Sequence, residues 1–163
     1  RVAESLEAAN IVSVPTADTM AWKYTKLVIN TSNATDAACD PNAETKSLRD
    51  QLHAEAFACF DAAGISYRTL TEMRERRGDL MKNGKIDGVG RAGGSSWQSL
   101  ENGRPDNEVD FLNGEIVQLG RLHGVPTPAN TAMQNLMTRM TRDGIAPRSL
   151  DMDEINTLIA AEE

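Results

Sequence analysis

Only one run in this sequence has β-strand character, the four residues Ile-Val-Ser-Val at positions 11–14, and Pro15 stops it. A sheet needs several such runs, so the chain has to build its core from helices. The composition agrees: 4% of the residues are aromatic, and Ala, Leu, Met, Glu and Arg, whose side chains lose little rotamer freedom in a helix, are abundant. At 163 residues with 40% apolar content the chain can bury one real core. The expected fold is all-α, a single helical bundle over residues 1–163.

Start and stop signals divide the chain. Residues 2–9 are a helix-like run, and Asp18 or Thr19 can cap a long helix to about Ala38, broken by the loop at 40–43. The next helix should span 44–63 and end at Gly64, where a left-handed residue releases the last turn. Thr69-x-x-Glu72 has the form of a capping box and opens a helix to about Lys82. Five glycines between Asn83 and Gly94 argue against regular structure there, and residues 95–101 read as a short helix with a serine cap. From 107 to 123, Phe111, Leu112, Leu119 and Leu122 should share one helix side. Gly124 ends that helix, and Thr127-Pro128 starts another to about Arg142. A last helix, opened by Asp151 or Asp153, carries Ile155, Leu158 and Ile159. Six or seven helices with short connections result.

Several classes of function are disfavoured. A net charge of −7 gives no footprint for phosphate backbones, so no nucleic-acid partner is expected. No apolar run approaches the length of a membrane span, and Cys39 and Cys59 show neither metal spacing nor a disulfide framework, which suits a reducing, cytoplasmic setting. The chain enters a helix-like run directly after Arg1, and we expect it to be part of a longer protein. Gly88-x-Gly90-x-x-Gly93 matches the dinucleotide fingerprint in letters only, because the preceding residues 82–87 form no strand to deliver the loop. No cofactor or metal site is therefore expected within these residues.

Two features stand out as chemistry. At 100° per residue, Lys26, Asn30 and Asn33 fall in a narrow arc beside Trp22, opposite Met20, Tyr24, Leu27 and Val28. This is a solvated helix face or one wall of a polar pocket. Glu108 projects onto the side of Leu112, Leu119 and Leu122, with Glu115 nearly aligned. It is either a carboxylate set for function on an apolar stripe or a first-turn acid favoured by the helix dipole. His53, His123, Ser95, Ser96 and the cysteines have no local partner that marks a base, ligand or nucleophile.

The order Trp22-x-x-x-Lys26-Leu-x-x-Asn30, Ser95-Ser96, Glu108-x-Asp110-x-Leu-Asn113-Gly114 and His123-Gly-Val-Pro-Thr-Pro-Ala-Asn130 resembles the C-terminal domain of the ketopantoate reductase (2-dehydropantoate 2-reductase) family, over about residues 1–140. The resemblance implies a helical domain of the 6-phosphogluconate-dehydrogenase C-terminal type. It also implies an N-terminal Rossmann domain, absent from this chain, that binds NADPH, with the active site between the two. Lys26 then matches a catalytic proton donor and Glu108 a catalytic glutamate, while Asn30, Ser96 and, from a neighbouring position, Asn33 match substrate-binding residues. Ala34, Gly93 and Ser99 depart from the family's common pattern. The implied activity is reduction of 2-dehydropantoate to pantoate for pantothenate and coenzyme A synthesis. The alternatives are another small 2-oxo acid, or a helical module that holds a homodimer together without its own catalysis.

Overall fold

The computed structural model describes residues 1–80 and 93–163. Among them nine helices run in the order α1 (Val2–Ala8), α2 (Thr19–Thr31), α3 (Asn33–Ala38), α4 (Lys46–Ala63), α5 (Leu70–Arg77), α6 (Ser95–Glu101), α7 (Asn113–His123), α8 (Pro128–Asp143) and α9 (Met152–Ala160). Single 3-10 turns occupy Gly78–Leu80 and Glu108–Phe111, and no strand occurs among the described residues. Residues 11–14 stay irregular, with Ile11, Val12 and Val14 exposed. No helix among the described residues is long and apolar enough to cross a membrane.

Helix ends fall where the local chemistry puts them. Thr69 Oγ1 accepts from the Glu72 N–H at 3.1 Å and Glu72 Oε2 accepts from the Thr69 N–H at 2.7 Å, so both halves of the box are made. Asp151 and Glu154 form a second box at the start of α9, which selects Asp151 over Asp153 as the cap. Gly64 and Gly124 close α4 and α7 in the left-handed conformation, at φ 66° and 70°. The helix from the first box stops at Arg77 and passes into the 3-10 turn; Lys82, its expected end, lies outside the described residues. Gly94, not a serine, occupies the cap position of α6.

Two expected helices are broken, the first by contacts from other helices. The helix over 18–38 divides at Ser32, whose N–H turns back to the Ile29 carbonyl and whose hydroxyl shares a 3.0 Å hydrogen bond with His53 Nε2 on α4. Thr31 O accepts from Asn113 Nδ2 at 3.2 Å, so α7 binds the chain beside the break. The helix over 107–123 is interrupted at Leu112 (φ −115°, ψ −87°). The phase of its apolar face changes with it: Phe111 and Leu122 are 79% and 69% exposed, while Val109, Ile116, Val117 and the small or polar Asn113, Gly114 and Gly120 point inward. At Gly120 a β-carbon would stand 2.6 Å from the Val125 carbonyl, so only glycine lets the following loop lie this close to α7. Met20, expected on the apolar side of α2, is exposed, whereas Val28 is fully buried.

The core has two parts. Ala34, Ala37 and Ala38 of α3 pack with Leu48 and Leu52 of α4, Met133, Leu136, Met137 and Met140 of α8, and Ile155 and Ile159 of α9. Val28, Ala56, Cys59, Phe60 and Ile116 form the second cluster, with Tyr24 edge-on to Phe60 at 5.3 Å. The buried carboxylate of Glu55 enters the first turn of α8, accepting from Ala129 N–H at 2.8 Å, Asn130 N–H at 2.9 Å and Asn130 Nδ2 at 2.7 Å. A negative charge there satisfies orphan donors and suits the helix dipole. Asn130 Oδ1 in turn accepts from Asn113 Nδ2 at 3.1 Å, which ties α4, α7 and α8 together.

Candidate active site

With Ala21, Thr25, Val28 and Thr31 turned inward, α2 presents Trp22, Lys26 and Asn30 on its outer side. Lys26 is exposed and forms no hydrogen bond or ion pair among the described residues. Asn30 and Asn33 are half-buried on either side of the Ser32 break. Trp22 is engaged elsewhere: the Arg76 and Arg68 guanidinium carbons lie 4.2 and 5.6 Å from its ring centroid, and Arg68 also pairs with Asp18 and Glu72.

The strip continues into α3, which packs on α6. Gly94 faces Asn33, whose Oδ1 would be 3.5 Å from a β-carbon at position 94. One residue on, Ser95 Oγ donates to Glu108 Oε2 at 3.1 Å. Glu108 opens its 3-10 turn just after Asn107, whose side chain accepts from Val109 N–H at 2.9 Å and donates to Thr141 Oγ1 on α8 at 2.7 Å. The anchor holds the turn while leaving the Glu108 carboxylate exposed. This corrects the placement of Glu108 on an apolar stripe with Leu112, Leu119, Leu122 and Glu115: the break at Leu112 puts it on a separate element, facing a serine.

The structure thus gathers Asn33, Ser95 and Glu108 along one edge. Ser96 is in the same turn but only 2% exposed, so of the two serines Ser95 presents its hydroxyl outward. Lys26 and Asn30 precede Asn33 on α2, and no hydrogen bond or ion pair joins Lys26 to Glu108. An exposed ammonium, two amides, a hydroxyl and a carboxylate can bind a small polar molecule and exchange a proton with it. The Ser95–Glu108 pair was invisible to local reasoning because its members are 13 positions apart.

Other titratable groups serve the fold. Burial pushes the His53 imidazole below its ordinary value, with Asp50 opposing the shift, and raises the Cys39 and Cys59 thiols to about 11. Among the described residues no group of three or more His, Cys, Asp or Glu could hold a metal ion. Gly88 and Gly90 of the glycine pattern lie outside the described residues. Glu55 escaped sequence reasoning, although it falls within the inward stripe Leu48, Leu52, Glu55, Ala56 and Cys59, where a carboxylate requires a partner.

The described helices make up an all-helical fold that is seen in a solved reductase. It superposes on a PanE/ApbA family ketopantoate reductase from Ralstonia eutropha JMP134 with TM-score 0.67 and 24% identity, covering 88% of this chain and 48% of that one. The chain therefore spans about half the length of that solved relative. It belongs to the family described as "Ketopantoate reductase PanE/ApbA C terminal", which it matches over residues 18–141, a range that includes Lys26, Asn30, Asn33, Ser96 and Glu108. No curated protein matches the chain.

Proposed function

We infer that this chain is the substrate-side domain of an NADPH-dependent reductase of a small 2-oxo acid, with 2-dehydropantoate as the leading substrate and pantoate, a precursor of pantothenate and coenzyme A, as the product. The observation that carries the reading is the exposed Ser95–Glu108 pair, abutting Asn33 on the strip that begins at Lys26. The family's description as a C-terminal domain, and the chain's coverage of 48% of the solved relative, support assigning the cofactor to a separate N-terminal Rossmann domain of the intact protein.

Reduction of a ketone places a hydride from that cofactor on carbon and leaves an electron pair on oxygen. Lys26, whose ammonium has no partner among the described residues, donates the proton that quenches this charge. Glu108 accepts a hydrogen bond from the substrate hydroxyl, and Ser95 fixes which carboxylate oxygen is free to do so. Asn30 and Asn33 orient the acid group.

The test is steady-state kinetics of the intact protein with 2-dehydropantoate and NADPH. Lys26→Ala should lower kcat by about 10² to 10⁴ with NADPH affinity nearly unchanged, and Glu108→Ala should act mainly on the KM of the oxo acid. Unaltered turnover in Lys26→Ala would refute the site. A second reading, a homodimer module without catalysis, is favoured by the exposed Phe111 and Leu122. It requires both variants to turn over like the wild type while substitution of Phe111 changes the oligomeric state.

A further inference from the structure

The serine-bearing turn has little of its own to hold it. Helix α6 is seven residues long, and its cap residue is Gly94, which has no side chain to satisfy the first N–H groups. It is held from outside. The Gly94 N–H donates to Asp36 Oδ2 on α3 at 3.3 Å. Two guanidinium groups flank that carboxylate, Arg148 Nη2 at 3.9 Å from Oδ2 and Arg49 Nη2 at 3.8 Å from Oδ1, while Arg148 Nε donates to the Asp36 carbonyl at 3.4 Å.

Arg148 also secures the turn from its other end. Its guanidinium carbon lies 4.9 Å from the Trp97 ring centroid, and Trp97 covers Gly93 so closely that a β-carbon there would stand 2.4 Å from Trp97 Cγ. Arg148 occupies the left-handed region at φ 58°, which a non-glycine residue keeps only where its surroundings impose it. The imposing contacts are its N–H to the Ala37 carbonyl at 2.7 Å and Leu150 N–H to Ala38 O at 3.1 Å. The Asp36 carboxylate is thereby aimed at the last backbone N–H before Ser95.

We propose that Asp36 is a positioning residue of the substrate site: it fixes the first turn of α6 and hence the place of Ser95 against Glu108, without touching substrate. This rests on the reading of the Ser95–Glu108 edge as the place where the oxo acid binds. The experiment compares Asp36→Ala with Asp36→Asn in the intact protein, because asparagine retains an oxygen to accept from Gly94. Asp36→Ala should raise the KM for 2-dehydropantoate about tenfold, less than the 10²-fold a full misplacement brings, with the KM for NADPH unchanged and Asp36→Asn within about threefold of the wild type. Amide hydrogen exchange over residues 93–101 should speed up in Asp36→Ala and stay at the wild-type rate in Asp36→Asn.

The proposal is overturned if Asp36→Ala leaves both the oxo-acid KM and this exchange unaltered. It is equally overturned if exchange rises throughout the chain and both KM values move together, the pattern of general loosening. Lys26→Ala separates the two ideas: a fall in kcat there with no response at Asp36 sinks only the role of Asp36. If the wild type does not turn over 2-dehydropantoate, the functional reading fails, and exchange over 93–101 alone decides whether Asp36 holds the turn.

Discussion

Replacing Glu55 by alanine should be among the most damaging single changes in this domain. The carboxylate accepts from the N–H groups of Ala129 and Asn130, the second and third residues of α8, and from Asn130 Nδ2, at 2.7 to 2.9 Å. Asn130 Nδ2 keeps a second acceptor, the Leu52 carbonyl at 3.2 Å, but among the described residues the two N–H groups make no other hydrogen bond. Each orphaned buried donor costs about 1 to 3 kcal/mol, so the two left by Glu55→Ala, taken at the middle of that range, should destabilise the domain by about 4 kcal/mol. Glu55→Gln retains one acceptor oxygen and should cost about half as much. Urea unfolding followed by circular dichroism reads the alanine loss as a midpoint lower by about 2 M, for a slope near 2 kcal/mol/M. A loss below about 1 kcal/mol in the alanine variant, or an equal loss in both variants, would refute the capping argument. If the alanine protein does not fold, the glutamine variant carries the comparison.

Two further outcomes follow from the buried titratable groups. His53 binds its proton more weakly in the folded chain than at its ordinary value of 6.5, so stability should be fully present above that pH and decline as the pH falls through and below it. His53→Gln should flatten that limb of a pH–stability curve, and an unchanged limb would exclude His53 as its source. With both thiols raised to about 11 by burial, Cys39 and Cys59 should resist an aromatic disulfide reagent at pH 8 and both react once the chain is unfolded. Fast labelling of the native protein would contradict their placement.

Much of the fold was legible because its signals are local. A capping box, a left-handed glycine or a proline at a first helical position works through atoms within a few residues, as at Thr69, Gly64, Gly124 and Pro128. The breaks at Ser32 and Leu112 carry no glycine or proline, and the hydrogen bonds around the first come from α4 and α7. The inward side of α7 was misread because Asn113, Gly114 and Gly120 on it are not apolar, so the visible pattern of Phe111 and Leu122 pointed the wrong way. At the site, helical spacing puts Lys26 and Asn30 on one side of α2, whereas Asn33 lies on α3 beyond the Ser32 break. The site's completion by Ser95 and Glu108, and its support by Asp36, depend on residues 13 and 58 positions apart, which no periodicity records.

A crystal structure of the intact protein with pantoate and oxidised cofactor decides whether this helical domain supplies the proton donor and the substrate-holding carboxylate of a 2-oxo acid reductase. The pantoate hydroxyl should lie within about 3.2 Å of Lys26 Nζ, with Glu108 hydrogen-bonded to the same ligand. Pantoate bound elsewhere, or bound with the Lys26 and Glu108 side chains turned to other surfaces, would contradict it.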